Sequence, residues 1–269
     1  MNSPESASTP EIVTERSGNR LRILFNRPAK KNAMNLRMYS TLAQLLTDAA
    51  KDDDIRVVLL HGAGDSFTAG NDLEDFLKNP PSLGGGDSPQ ERLIAALINF
   101  DKPVVAAVHG AAIGSGTTIL THCDFVYAGE SAKFQMPFVN LALVPELGTS
   151  YSVHAAHVGY LSPAELILLG LPFDAKRAAE HGLVTRVVPD AELLATATET
   201  AQLLAQKPAG ALQAAKRLMK QAFREQIASA AKAENKEFGA RLRSAEAKEA
   251  MTAFLEKRRP DFSKIKKVA

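Results

Sequence analysis

A single cysteine, Cys123, stands in a chain of 269 residues, so no intramolecular disulfide can form and the composition fits a reducing compartment. It follows His122 and, with nothing nearby to activate it, reads as a packed core thiol. An excess of either charge is also missing. There are 32 Lys and Arg against 30 Asp and Glu, a formal net charge of +2, and the basic residues are dispersed until the tail, which gives no electrostatic footprint for nucleic acid. No run approaches the roughly 18 apolar residues of a membrane span. Residues 1–10 have neither a basic n-region nor an apolar h-region, so they are not a secretory signal and read as a disordered leader. The terminal Lys267-Val268-Ala269 is not a Ser-Lys-Leu peroxisomal address. These absences lead to the expectation of a cytoplasmic globular protein. What is present, 45% hydrophobic and 23% charged residues, suffices for a sizeable core.

The stretch around which the chain is organised runs from Lys102 to Thr118 (KPVVAAVHGAAIGSGTT). Pro103 opens a short, β-branched, nearly unbroken apolar run, as in a strand covered on both faces. Gly110, Ala111, Ala112, Gly114, Ser115 and Gly116 then leave the backbone bare, so a ligand can approach main-chain N–H groups at the positive start of a helix. A second unit has the same form. Ile55 to His61 is a strand, followed by Gly62-Ala63-Gly64-Asp65-Ser66-Phe67-Thr68-Ala69-Gly70-Asn71-Asp72-Leu73 and a short helix. This loop is neither a P-loop, which needs Gly-Lys-Ser/Thr, nor a dinucleotide fingerprint, because Phe67 stands where the third glycine belongs. Two bare strand-to-helix turns can aim one N–H each at a shared point, which makes an oxyanion hole. A pair of connections built for close packing is the alternative.

Elsewhere, Ile12 to Phe25 alternates as a hairpin about Ser17-Gly18-Asn19. Asn35 can cap a helix through about Lys51, and the preceding loop carries Arg27, Lys30 and Lys31, a solvated cluster or a phosphate contact. Asn79 to Asp87 (NPPSLGGGD) reads as a flexible insert with no packed role. Ser88-Pro89-Gln90-Glu91 and Ser162-Pro163-Ala164-Glu165 each have the form of a capping box, the first opening a helix to about Phe100, the second one ending near Gly170. Short strands are expected over 124–128, 132–135 and 184–188, and a helix from Phe173 to Gly182. Helices are expected over about 190–206, 209–228 and 244–257, with Pro208 breaking the first two. His154 and His157 lack the further ligands of a metal site. Glu146, in Leu141-Ala142-Leu143-Val144-Pro145-Glu146-Leu147-Gly148-Thr149-Ser150-Tyr151, is one carboxylate among apolar and small residues. Burial would raise its pKa to where it can take and return a proton; the alternative is a partly exposed glutamate near a helix start.

The segments Asn26-Arg27-Pro28 to Asn35, Asp65 to Leu73, Val108 to Asp124, Tyr127-Ala128 and Ala253-Phe254-Leu255-Glu256-Lys257-Arg258-Arg259-Pro260 closely resemble the enoyl-CoA hydratase/isomerase (crotonase) family. The resemblance implies an α/β spiral of ββα units (ClpP-like) over 11–189 and a C-terminal helical oligomerisation region over 190–269, assembled as a homotrimer or a dimer of trimers. It implies an acyl-CoA thioester as substrate, with no metal and no redox cofactor, since coenzyme A belongs to the substrate. Carried over by motif, the enolate oxygen would meet the backbone N–H of Asn71 and of Ser115, with Ala69, Gly70, Asp72, Leu73, Gly114 and Gly116 around it. The CoA phosphates would meet Arg27, Lys30 or Lys31, and tail residues such as Lys257 or Arg258.

Two departures bear on the reaction. Hydratases of the family carry one glutamate after the second turn and another after the proline of the later loop, and here those positions are Thr118 and Phe138. Val144 to Tyr151 instead resembles the segment in which the family's 3-enoyl-CoA to 2-enoyl-CoA isomerases carry a single catalytic glutamate. That implies Glu146 as the one proton shuttle of a double-bond isomerase in fatty-acid or related acyl-CoA metabolism. A hydratase, another enolate reaction on a ring-derived acyl-CoA, or a non-catalytic acyl-CoA-binding protein are the alternatives.

Overall fold

The computed structural model describes residues 10–155 and 159–265. The strands are β1 (Ile12–Ser17), β2 (Arg20–Phe25), β3 (Val57–Gly62), β4 (Val104–Val108), β5 (Ala111–Ile113), β6 (Phe125–Gly129), β7 (Lys133–Gln135), β8 (Phe173–Asp174) and β9 (Arg186–Val188). Among the described residues they form a six-stranded sheet in the order β1-β2-β3-β4-β6-β9 and a three-stranded sheet in the order β5-β7-β8. The hairpin β1-β2 is antiparallel, with Ser17 opposite Arg20 across the expected turn. From β2 onward the large sheet is parallel.

Parallel strands need crossovers, and these supply α1 (Leu36–Lys51), α2 (Leu73–Lys78), α3 (Pro89–Asn99), α4 (Ser115–Thr118), α5 (Thr149–Ala155), α6 (Leu161–Ala164) and α7 (Ala175–Glu180). Asn35 caps α1 by accepting from Met38 N, and the Ser88/Glu91 capping box closes on α3. Val104–Val108 is buried throughout because both faces are covered. In β3, Val58 and Leu60 pack with α1 and α3 into the main core. Val57 and Leu59 face Ala197 and Ala201 of α8 (Leu193–Ala205) on the other side. The helix α8, at the start of the region expected to be helical, therefore forms a layer against the large sheet. It is followed by α9 (Ala209–Gln221), α10 (Arg224–Leu242) and α11 (Ala245–Leu255).

Several local expectations change. The helix expected over 209–228 ends at Gln221 and restarts at Arg224, and α10 continues over residues for which no element was expected. Phe173 and Asp174 pair with β7, so the helix begins only at Ala175. Ser162 does not cap a helix: α6 starts at Leu161 without a side-chain cap, and the Ser162 hydroxyl instead bonds His181 Nδ1. The 79–87 insert has a packed role. Leu83 lies against the main core and over Gly239, and Gly84 N donates to Glu91 Oε1 at 2.8 Å. His157 lies outside the described residues, as do the side chain of His154, the leader before Pro10 and the last four residues. No described helix is long and apolar enough to cross a membrane.

Candidate active site

The site forms where β3 and β4 run out into their two small-residue turns. The turns are laced by backbone hydrogen bonds: Phe67 N to His109 O at 2.8 Å, Thr68 N to Ala111 O at 3.0 Å and Ile113 N to Thr68 O at 3.0 Å. Such contact requires bare backbone. A Cβ at Gly110 would collide with the Asp65 carbonyl oxygen, and one at Gly70 (φ +81°) with that of Ile113. The Gly70 Cβ position is also 3.3 Å from Ser115 N, so the two turns meet where both oxyanion donors were expected.

Both donors are free of internal acceptors among the described residues. Met34 N donates to Gly70 O at 2.7 Å and Asp72 N to Met34 O at 2.9 Å, which ties down the residues on either side of Asn71 and leaves its own N–H unused. At the other turn Gly114 N is spent on Gln135 O at 2.9 Å, while Ser115 opens α4 and has no carbonyl one turn back to bond. Asn71 and Gly114 line a cavity of about 480 Å³ whose walls are mainly apolar: Leu73, Phe76, Ile113, Phe138, Leu141, Leu143 and Phe238, with Phe254 and Leu255 of α11 at one side.

Glu146 lies one hydrogen bond beyond Asn71, which donates through Nδ2 to both carboxyl oxygens at 3.4 Å. Tyr39 of α1 donates its hydroxyl to Asn71 Oδ1, and so fixes which way the amide points. Glu146 is only 6% exposed. Burial pushes its pKa up to about 7, opposed by the Asn71 amide and the Ser115 hydroxyl and reinforced by the negative charge of Glu234. Burial, then the nearness of Glu146, raises Tyr39 well above the ordinary phenol, so it stays a donor. Ser115 Oγ is buried without a hydrogen bond of full geometry, yet its dipole lowers the pKa of both Tyr39 and Glu146. His122, pushed down to about 4 by burial, stands neutral and donates through Nε2 to Leu147 O at 2.7 Å, holding the residue next to Glu146. Burial likewise pushes Cys123 up to about 12.

The predicted substrate contacts divide. Lys30, Ala69, Asp72, Leu73 and Gly114 line the cavity with Asn71. Lys30 pairs with Glu74 at 3.1 Å at its edge, and Asp72 caps α2. Gly116 packs beneath, under the Thr68 carbonyl. Arg27 turns inward, donating to Ala33 O at 2.6 Å and pairing with Asp72 and Glu11 at 3.1 Å each, which leaves it a structural clamp. Lys31 and Lys257 are exposed and off the cavity wall, whereas Arg258, the other tail residue expected near the phosphates, lines the wall while paired with Glu249 and Glu256. Tyr39 and Glu234 carried no sequence signal: one is a tyrosine on the apolar face of α1, the other a glutamate in a charge-rich helix. Only proximity marks them.

Residues 15–265 match the enoyl-CoA hydratase/isomerase family, and the chain belongs to that family, with the crotonase fold. It is similar to Escherichia coli 1,2-epoxyphenylacetyl-CoA isomerase, with 35% identity over 246 residues, 90% of this chain and 94% of that protein. It is similar to human enoyl-CoA delta isomerase 2, with 35% identity over 226 residues, 80% of this chain and 55% of that protein. The solved structure of Pseudomonas aeruginosa OdaA shares 43% identity and a TM-score of 0.88, covering 92% of this chain and 99% of its own. This is therefore an enzyme of a family that acts on acyl-CoA thioesters.

Proposed function

We propose that the protein is an acyl-CoA double-bond isomerase that converts a 3-enoyl-CoA into the conjugated 2-enoyl-CoA. The observation that carries this reading is Glu146: a carboxyl that burial raises to about 7, in contact with Asn71, beside two unused backbone N–H groups. Ionised Glu146 takes the C2 proton of the thioester. The electron pair moves toward the thioester oxygen, and the Asn71 and Ser115 N–H groups hold the resulting dienolate oxygen. The same carboxylic acid then returns the proton at C4, the double bond settles between C2 and C3, and no atom is gained or lost.

Adding water instead requires groups to hold and activate that water. Thr118 and Phe138 occupy the positions where the resemblance puts the hydratase glutamates, and both are buried, Phe138 as an apolar wall of the cavity. The likeness to the E. coli isomerase, across 94% of that protein, favours a second reading, an isomerisation of a ring-derived acyl-CoA through the same enolate machinery. The test is to follow the conjugated thioester chromophore when the purified protein is given a 3-enoyl-CoA, with a 2-enoyl-CoA in water as the paired assay. Conjugation without hydration is expected. Hydration, or no reaction in either assay, refutes the proposed activity.

A further inference from the structure

We propose that Glu234, on α10, is a positioning residue that holds the Glu146 loop in its working conformation by gripping the loop's backbone. This inference rests on the reading of Glu146 as the base. Residues 146–150 follow an unfavourable path. Leu147 (φ 63°) and Gly148 (φ 69°) are consecutive left-handed residues, and a leucine adopts that conformation only when its surroundings impose it. Two side chains restrain the loop. His122 Nε2 holds Leu147 O at 2.7 Å. The Glu234 carboxylate takes Gly148 N on one oxygen at 2.6 Å and Ser150 N on the other at 2.7 Å. A carboxylate spanning two amides fixes their separation and orientation as one acceptor atom cannot.

The loop is also pressed close to α10, since a Cβ at Gly148 would lie 2.7 Å from Ile227 Cγ2. Glu234 is 6% exposed and has no salt-bridge partner among the described residues, so its cost of burial is met by these loop N–H groups. Burial raises its pKa, and donors from Gly148, Thr149 and Ser150 oppose that rise. The groups around Glu146 are Tyr39 from α1, Asn71, Ser115 from α4 and Glu234, and of these Glu234 is the anion. His122 is neutral above about 4, and Lys216 and Lys220 bear on His122. Glu234 thus acts on the base in two ways, through the loop's geometry and through its charge.

The experiment compares full-length wild type, Glu234→Gln and Glu234→Asp in turnover of a 3-enoyl-CoA, reading kcat, KM and the pH profile of kcat. Binding of a saturated acyl-CoA reports folding. Glutamine keeps the shape but only one acceptor and no charge. A fall in kcat of about ten- to a hundredfold is expected, with KM changed less than about threefold and the acidic limb of kcat displaced to lower pH. Aspartate keeps the charge on a shorter stem, so the limb should stay and kcat should fall between the two. A folded glutamine variant with wild-type kcat and limb overturns the inference, as does one in which only KM changes. If glutamine prevents folding, an aspartate variant with wild-type kcat overturns it. Amide exchange in the wild type needs no variant: Gly148 and Ser150 are expected to be protected, and exchange at the rate of an open loop overturns the grip. Retained activity in Glu146→Gln would instead refute the base itself, whereas a dead Glu146→Gln beside fully active Glu234 variants would refute only this inference.

Discussion

Replacing Glu146 by glutamine is expected to remove turnover and, above neutral pH, to stabilise the fold. The carboxyl has an ordinary value of 4.5 when solvated and is held at about 7 in the folded protein by burial. Between those values the folded state binds more protons than the unfolded chain, so stability declines as pH rises through this window and the decline is complete above about 7. At 1.36 kcal/mol per tenfold change in proton affinity, the difference corresponds to about 3 kcal/mol of stability given up to hold the base ionised. Glutamine cannot ionise and still has an oxygen for the Asn71 amide. The variant should therefore gain roughly 2–3 kcal/mol relative to wild type on going from pH 5 to pH 8.5, measured by chemical denaturation at the two pH values. Loss of the general base should lower kcat at least about a hundredfold in the conjugation assay. The wild-type rate should also fall as pH drops below about 7, because the base must be ionised to accept the C2 proton. If the two proteins show parallel pH dependence of stability, the carboxyl is not the buried, displaced group described here. If turnover survives, it is not the base.

Three further outcomes follow from the same geometry. Ser115→Pro removes the backbone donor at the first position of α4, where proline is tolerated, and should fold but lose about 10²- to 10³-fold in kcat, whereas Ser115→Ala keeps the donor and should only move the acidic limb of kcat upward; equal kcat in both would remove this N–H from the oxyanion hole. Gly70→Ala sets a Cβ against the Ile113 carbonyl at φ +81° and should cost more than about 2 kcal/mol in denaturation, and an unchanged midpoint would show that the two turns are not in contact. Light scattering is expected to find a homotrimer or a dimer of trimers, with exposed Leu218 and Met219 of α9 available for burial, and a monomer would contradict the assembly that the resemblance implies.

What was legible in the sequence is what local chemistry determines. Alternation and a Ser-Gly-Asn turn produce the opening hairpin, Asn35 and the Ser88/Glu91 pair cap their helices, and a β-branched run after Pro103 becomes the central buried strand. The two bare turns were legible for the same reason, since close backbone approach selects glycine and alanine wherever it occurs. The Ser162 motif had the form of a cap and became a partner of His181, because a hydroxyl bonds whichever group the fold brings to it. The 79–87 insert looked structureless because its composition does not show that Leu83 lands on Gly239.

Around Glu146 the division is sharper. Sequence alone left that residue between an ordinary exposed carboxylate and a catalytic one, and left Arg27 between solvent and a phosphate. Burial depends on what arrives from elsewhere in the chain. Tyr39 comes from 107 positions upstream and Glu234 from 88 positions downstream, and neither carries a pattern of its own. The tertiary structure decided that Glu146 is desolvated, that Asn71 bridges it to Tyr39, and that Arg27 is consumed by Glu11 and Asp72. Caps, tight turns and strand alternation are set by a residue and its neighbours along the chain, whereas proton affinity is set by the dielectric and charges that packing assembles around it.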